Sequence, residues 1–188
     1  MKNLLVGQSG GPTAVINASL YGVVKAALAS SEIDHVYGMV NGIEGMLQDH
    51  TIDLGESLSE EELELLKLTP AAYLGSCRYK LPESLTDAFY ETIFEKFRRM
   101  EIGYFLYIGG NDSMDTVSKL SRYAAHHGSD IRFIGIPKTI DNDLIQTDHT
   151  PGYGSAAKYV AASVREIALD ASVYQQKAVT IVELMGRH

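Results

Sequence analysis

The sequence carries one cysteine, Cys77, in 188 residues. No internal disulfide can form, and the chain suits a reducing compartment. Long apolar runs are missing as well. The N-terminal "MKNLLVGQSGG" reaches its glycines after a short apolar stretch, which fits neither a signal peptide nor a membrane anchor, and no later run has the length to span a bilayer. The expected location is the cytoplasm. Positive charge is in deficit: 16 Lys plus Arg face 24 Asp plus Glu, a formal net charge of −8. The basic stripe that a nucleic-acid surface requires is therefore not expected, although a local cluster of cations remains compatible with small anions. The six histidines show no metal-ligand spacing, and His126-His127 at a predicted helix end reads as favoured by the helix dipole rather than as a ligand pair. Neither a Cys/His zinc pattern nor a G-x-S-x-G elbow occurs, and no internal repeat or low-complexity segment stands out.

What remains is an ordinary globular composition, 45% hydrophobic and 21% charged, in a chain of one-domain size that can bury a real core. Short apolar runs alternate with longer helical patterns. Strands are predicted at 3–7, 33–40, 102–110, 131–137 and 178–186, and helices at 14–29, 59–67, 86–100, 112–126 and 153–172. Thr13 is the predicted N-cap of the first helix, and Ser59 with Glu62 has capping-box spacing. Residues 41–55 read as a Gly-rich passage and 69–84 as a long ordered loop. Near-continuous apolar strands alternating with helices imply an α/β fold: three layers, a mostly parallel sheet with helices on both faces. Ligands of such sheets sit beyond the carboxyl ends of the strands. The chemistry is therefore sought in "GQSGGPT", "GGNDS", "IPKTIDND" and "LMGRH", each placed just after a predicted strand.

In "VGQSGGPTAVINAS" (6–19), Gly7, Gly10 and Gly11 stand between strand and helix, where backbone N–H groups and a helix N-terminus can receive a phosphate. The plainer reading is a tight turn needing positive φ. "YIGGNDSM" (107–114) repeats the device: Gly109 and Gly110 open the backbone, Asp112 or Ser113 can cap the next helix, and Asn111 and Asp112 face the same crevice. In "IPKTIDND", Asp141 and Asp143 are two residues apart, so in an extended segment they share a face with Thr139. Phosphoryl transfer needs a proton acceptor, a metal and cations that offset charge on the transferring group, and Asp141, Asp143 and Lys138 are of the right types. The alternative is an Asp-rich loop of side-chain caps with a surface lysine. Arg78 and Lys80 of "GSCRYK" and Arg187 of "VELMGRH" are further candidates for anion contacts.

In this order and at this spacing, "GQSGGPTAVINA", "GSCRYK", "GGNDS", "PKTIDND" and "MGR" resemble the phosphofructokinase family along nearly the whole chain. The resemblance implies Mg²⁺-dependent phosphorylation of the 1-hydroxyl of fructose 6-phosphate. By the same resemblance Asp141 falls on the proton acceptor, and Thr139, Ile140, Met185, Gly186 and Arg187 join it as sugar-substrate contacts. Gly10 and Arg78 fall on donor-phosphate positions. Asp143 lies on the metal side, and Asn111 stands where the family commonly has a metal-holding aspartate. Asp112 and Lys138 occupy positions where ATP-using members typically carry glycine and diphosphate-using members carry Asp and Lys. A carboxylate at 112 would repel a nucleotide's α-phosphate, and a lysine at 138 adds positive charge beside the transferring group. The resemblance thus implies a diphosphate-using, reversible glycolytic enzyme, homo-oligomeric in full-length form, with no nucleic-acid or membrane partner. The runners-up are an ATP-dependent 6-phosphofructokinase and a non-catalytic regulatory relative, with lipid and NAD kinases more distant. Ala178 stands where ATP-dependent relatives often carry an arginine that reaches a neighbouring subunit's substrate. Family members are considerably longer, so residues 1–188 are expected to be an N-terminal donor-binding domain, inactive alone, with the second, sugar-phosphate domain absent.

Overall fold

Residues 2–184 are described by a computed structural model of the chain. Five strands form one sheet in the order β3-β2-β1-β4-β5. The strands β1 (Lys2–Gln8), β2 (Ile33–Met39), β4 (Ile102–Gly109) and β5 (Arg132–Pro137) run parallel. The three-residue β3 (Thr51–Asp53) is antiparallel to β2 at one edge.

The central strands β1 and β4 form because their residues bury on both sides. Within β1, Leu4 and Val6 pack with Val36 and Ile108 under α1 (Val15–Leu28), α3 (Leu54–Ser57) and α4 (Glu60–Leu66). Leu5, between them, points the other way and joins Phe105 and Tyr107 beneath α2 (Gly42–Leu47), α5 (Ala88–Arg99) and α6 (Asn111–His126). This is the period-2 alternation of a strand with helices on both faces. On the second face the aromatic rings of Phe94, Phe97, Phe105 and Phe133 lie within 6.5 Å of one another in successive pairs, a dense apolar filling.

Several predicted features stand as expected. The capping box forms, with Ser59 Oγ accepting from the Glu62 N–H and the Glu62 carboxylate accepting from the Ser59 N–H. α5 (Ala88–Arg99) falls within the predicted helix at 86–100, and α7 (Tyr153–Ser172) has the predicted bounds. Others differ. α1 begins after Ala14 with no side-chain cap, and Thr13 Oγ1 is buried without a hydrogen-bond partner. Neither Asp112 nor Ser113 caps α6: Gly110 precedes the helix, and both residues lie in its first turn. The Gly-rich passage contains α2, β3 and the start of α3, entered through the left-handed Asn41 and Gly42. Most consequentially, residues 178–184 form no strand. Val179 and Ile181 are each 89% exposed, and a strand is only as stable as the ladder beside it. α7 likewise buries none of its residues.

Candidate active site

The parallel strands all end on one side of the sheet, and there the chain folds a cleft of about 530 Å³. Its walls are the β1–α1 turn from Ser9 to Thr13, the loop at 77–80, the first turn of α6 and the segment 138–141 that leaves β5. A slightly larger cavity of about 600 Å³ lies at the opposite strand ends, between α5 and the end of α6. It holds none of the candidate catalytic or binding residues named from the sequence.

Two features of the cleft favour an anion. α1 and α6, whose N-termini border it, have no side-chain cap; α2 and α7 also lack one, whereas α3, α4 and α5 are capped by Asp53, Ser59 and Asp87. Uncapped first turns leave N–H donors and the positive end of the helix dipole open to a ligand. The glycines are placed by geometry. Gly10 has φ 77°, a left-handed conformation that glycine adopts without penalty, and its N–H goes to the Cys77 carbonyl at 3.3 Å. A Cβ on Gly109 would lie 2.0 Å from Ser113 Oγ and 3.0 Å from the Ser9 carbonyl oxygen, so only glycine lets β4, the first turn and α6 meet this closely.

Lys138 is the central cation. Its backbone continues the β4–β5 ladder through a 2.9 Å bond to the Gly109 carbonyl, and its side chain turns into the cleft. Only 5% of the residue is exposed, so it is not a surface lysine. Its ammonium donates to the Gly11 carbonyl of the first turn. Burial lowers its pKa below the ordinary lysine value, and the Arg78 guanidinium lowers it further. A desolvated cation that feels the charge of another cation is a group short of an anion.

Asp141 lines the cleft with Thr139 and Ile140, but the segment is not extended. The Asp141 N–H donates to Thr139 Oγ1 at 3.0 Å, and Asn142 takes a left-handed φ of 53°. Asn142 closes the following loop, donating to the Asp148 carbonyl at 3.2 Å and accepting from the Thr150 N–H at 2.9 Å. The shared face expected for Thr139, Asp141 and Asp143 is therefore broken at Asn142. Asp143 instead meets Asn111, whose side-chain amide donates to Asp143 Oδ2 at 3.2 Å. Asp143 Oδ1 is buried with no hydrogen-bond partner.

No group of three or more metal-type side chains occurs among the described residues, so a closed all-protein cage is not formed. Mg²⁺, however, commonly takes one or two carboxylates and completes its shell with substrate phosphates and water. The orphaned oxygen of Asp143, beside Asn111 at the cleft edge, fits that pattern.

Arg78 and Lys80 are both exposed and both line the cleft. Their loop is tied to the fold by residues that sequence reasoning passed over. Gln8, wholly buried, donates to Ile16 O and Asn17 Oδ1 and accepts from the Leu74 N–H at 2.9 Å. Asn17, also wholly buried, accepts from the Tyr73 N–H and donates to the Thr69 carbonyl. The available signal was a pair of amides inside apolar runs, since buried polar groups must find partners. Ser9 and Ser113, also missed, share a buried hydroxyl contact beneath the cleft, and Tyr107 reaches Cys77 Sγ at 3.5 Å.

The structure thus brings Gly10, Arg78, Asn111, Asp112, Lys138, Thr139, Ile140 and Asp141 to one cleft, with Asp143 joined to it through Asn111. Met185, Gly186 and Arg187, the remaining predicted substrate contacts, lie outside the described residues. The profile of the family described as "Phosphofructokinase" matches residues 3–188. The pyrophosphate–fructose 6-phosphate 1-phosphotransferase of Xanthomonas campestris is 48% identical over 99% of this chain and 44% of its own length. The enzyme of the same name from Methylococcus capsulatus is 45% identical over 100% of this chain and 45% of its length. The crystal structure of a pyrophosphate-dependent phosphofructokinase from Nitrosospira multiformis superposes with a TM-score of 0.85 at 45% identity, covering 92% of this chain and 42% of that one. The chain therefore spans less than half the length of these relatives. With the cleft, the parallel sheet and the matched span in agreement, the chain belongs to the phosphofructokinase family.

Proposed function

We propose that this chain is the donor-binding part of an enzyme that transfers a phosphoryl group from diphosphate to the 1-hydroxyl of fructose 6-phosphate, giving fructose 1,6-bisphosphate and phosphate. The observation that carries the reading is Lys138: a buried ammonium, lowered in pKa by burial and by the Arg78 charge, in a cleft that Asp112 also lines. Diphosphate is small and highly charged, and it brings no nucleoside to be gripped. Paired cations suit it, while a carboxylate in the first turn of α6 repels the inner phosphate of a bulkier nucleotide.

In this reading Asp141 accepts the proton of the C1 hydroxyl as its oxygen attacks the terminal phosphorus of diphosphate. The new P–O bond forms, the bridging P–O bond breaks, and phosphate departs. Lys138 and Arg78 offset the charge that develops on the transferring group and its leaving oxygen. Gly10 leaves room for the donor beside Lys138. Thr139 and Ile140 shape the floor on which the hydroxyl rests, with Met185, Gly186 and Arg187 as further sugar contacts. Asp143 and Asn111 are the residues that would hold Mg²⁺, which supplies charge neutralisation to the donor phosphates when bound. Such transfer is reversible because donor and product phosphates are of similar energy. It belongs to cytoplasmic glycolysis, in a protein whose second half completes the sugar-phosphate site and whose subunits associate with one another.

The test is donor competition on the full-length protein. Diphosphate is expected to support turnover well above ATP, and Asp112→Gly with Lys138→Gly is expected to weaken diphosphate use and relax exclusion of ATP. Equal or better turnover of the unaltered enzyme with ATP would overturn the donor assignment.

A further inference from the structure

Arg78, Tyr79 and Lys80 form a short bridge between two fixed points. On the N-terminal side, Ser76 Oγ donates to the Gly10 carbonyl at 2.5 Å and the Gly10 N–H returns to the Cys77 carbonyl. On the C-terminal side, Tyr90 donates to the Pro82 carbonyl at 2.6 Å, and a lysine outside the cleft takes hold. Lys119 Nζ donates to the Leu81 carbonyl at 3.4 Å and to Glu83 Oε1 at 2.7 Å, and it meets Asp115 Oδ2 at 2.9 Å. Lys119 stands on α6, the helix whose first turn carries Asn111 and Asp112 and whose Thr116 also lines the cleft.

Stability does not account for this arrangement. The Lys119 side chain is 7% exposed, while its acidic partners are 90% and 58% exposed. Ion pairs to such exposed carboxylates stabilise little, and an apolar residue of similar volume commonly does as well at a buried site. What the ammonium does that an apolar side chain cannot is hold the Leu81 carbonyl and Glu83 to a fixed point on α6.

We propose that Lys119 is a positioning residue: it registers the Arg78–Lys80 span against α6, so that the cations of the loop and the residues of the α6 first turn present one preformed cradle to the donor phosphates. The inference rests on the reading above, in which Arg78 meets diphosphate. Misplacing a phosphate-contacting group by about 1 Å costs up to ~10²-fold in rate, and supporting groups left loose are a recurrent cause of weak sites.

The test is a double-mutant cycle in the full-length enzyme, with kcat and KM for diphosphate measured for Lys119→Met, Arg78→Ala and the pair. Lys119→Met is expected to lower kcat/KM for diphosphate about tenfold, and that loss is expected to shrink to within about twofold once Arg78 is already alanine. Lys119→Arg, which keeps charge and donors, is expected to recover most of it. A merely structural role predicts the same loss in both backgrounds. Should Lys119→Met not fold, Glu83→Ala removes one arm of the clamp at a side chain that is 90% exposed. It is expected to cost about threefold, again only when Arg78 is present. A full-sized loss persisting without Arg78, or no loss in a folded variant, overturns this inference alone. Unchanged diphosphate kinetics in Arg78→Ala overturns the donor role of Arg78 and the inference with it.

Discussion

Substituting Lys138 by methionine separates what the fold needs from what the site needs, because the two effects have opposite signs. In the folded chain the ammonium is 5% exposed, donates to the Gly11 carbonyl and faces Arg78. Two unit charges about 4 Å apart interact by roughly 4 kcal/mol at an effective dielectric of about 20, about a thousandfold in rate at ~1.4 kcal/mol per tenfold. Arg78 remains, so the expected loss in kcat/KM for diphosphate is roughly 10²–10³-fold, the range seen when one electrostatic donor is removed from an active site. Stability at neutral pH is expected to hold or rise. Gly11 is exposed, so water replaces the lost donor, and the desolvated charge is gone. The pH dependence fixes the sign. A lysine whose folded pKa is depressed binds its proton less tightly than in the unfolded chain. Between the lowered value and the ordinary 10.5 the unfolded state therefore binds more protons, and stability increases with pH across that window. The methionine variant is expected to lose this increase, and to lose the alkaline decline in kcat/KM that begins where Lys138 deprotonates. Thermal melts and pH-rate profiles of the full-length protein check both. Wild-type turnover, or a fall in activity matched by a fall in melting temperature, would refute the reasoning.

Asp141→Ala is expected to reduce turnover by ~10²–10⁴-fold, the usual cost of a lost general base, with diphosphate affinity by equilibrium binding within about threefold of wild type. Asp143→Asn keeps the shape but removes the charge beside Asn111. The half-saturating Mg²⁺ concentration is expected to rise about tenfold, by analogy with other altered metal surroundings, and an unchanged Mg²⁺ titration would remove Asp143 from the metal side. Gly109→Ala forces a Cβ to within 2.0 Å of Ser113 Oγ and 2.4 Å of Ser113 Cβ. Overpacking of this kind costs roughly 1–3 kcal/mol, read as a lowered urea midpoint.

Much of the fold was legible because β1, β4 and β5 are short apolar runs ending in glycine or proline; β1 and β4 are buried from both sides, while β5, at the sheet edge, is only partly covered. The cleft was legible for a related reason: in a parallel sheet those ends come together, so motifs far apart in sequence fall on one edge. Where the reading failed, short-range geometry had overridden a pattern. The alternation that should have put Thr139, Asp141 and Asp143 on one face requires extended backbone, and Asn142 is left-handed. β3, with three residues, is too short for periodicity to declare. The run at 178–184 has strand-like β-branched residues, yet such residues favour a strand only where a neighbouring ladder and packing surface exist. The β-branched Val179, Ile181 and Val182 stay exposed.

The deepest limit on the sequence reading concerns its lysines. Lys119 and Lys138 are the same side chain, both nearly buried, 6% and 5% exposed; the motif around Lys138 singles it out, but no sequence pattern shows that either is buried or what answers its charge. Their surroundings do. Lys119 is met by Glu83 first and Asp115 second, and its pKa is pushed up to about 12; its charge is answered within the chain. Lys138 is met by one backbone carbonyl and the neighbouring Arg78, and its pKa is pushed down. Folding alone gives no reason to bury a cation next to another cation, since an apolar side chain would serve the core better. The arrangement becomes favourable only when an anion with several negative oxygens enters between the uncapped turns of α1 and α6, restores the proton affinity of Lys138 and separates its charge from that of Arg78. A perturbed cation in a cleft is a functional signal when its perturber is another cation. On the proposed function, the cost of holding that pair together in the free protein is what a bound diphosphate would remove.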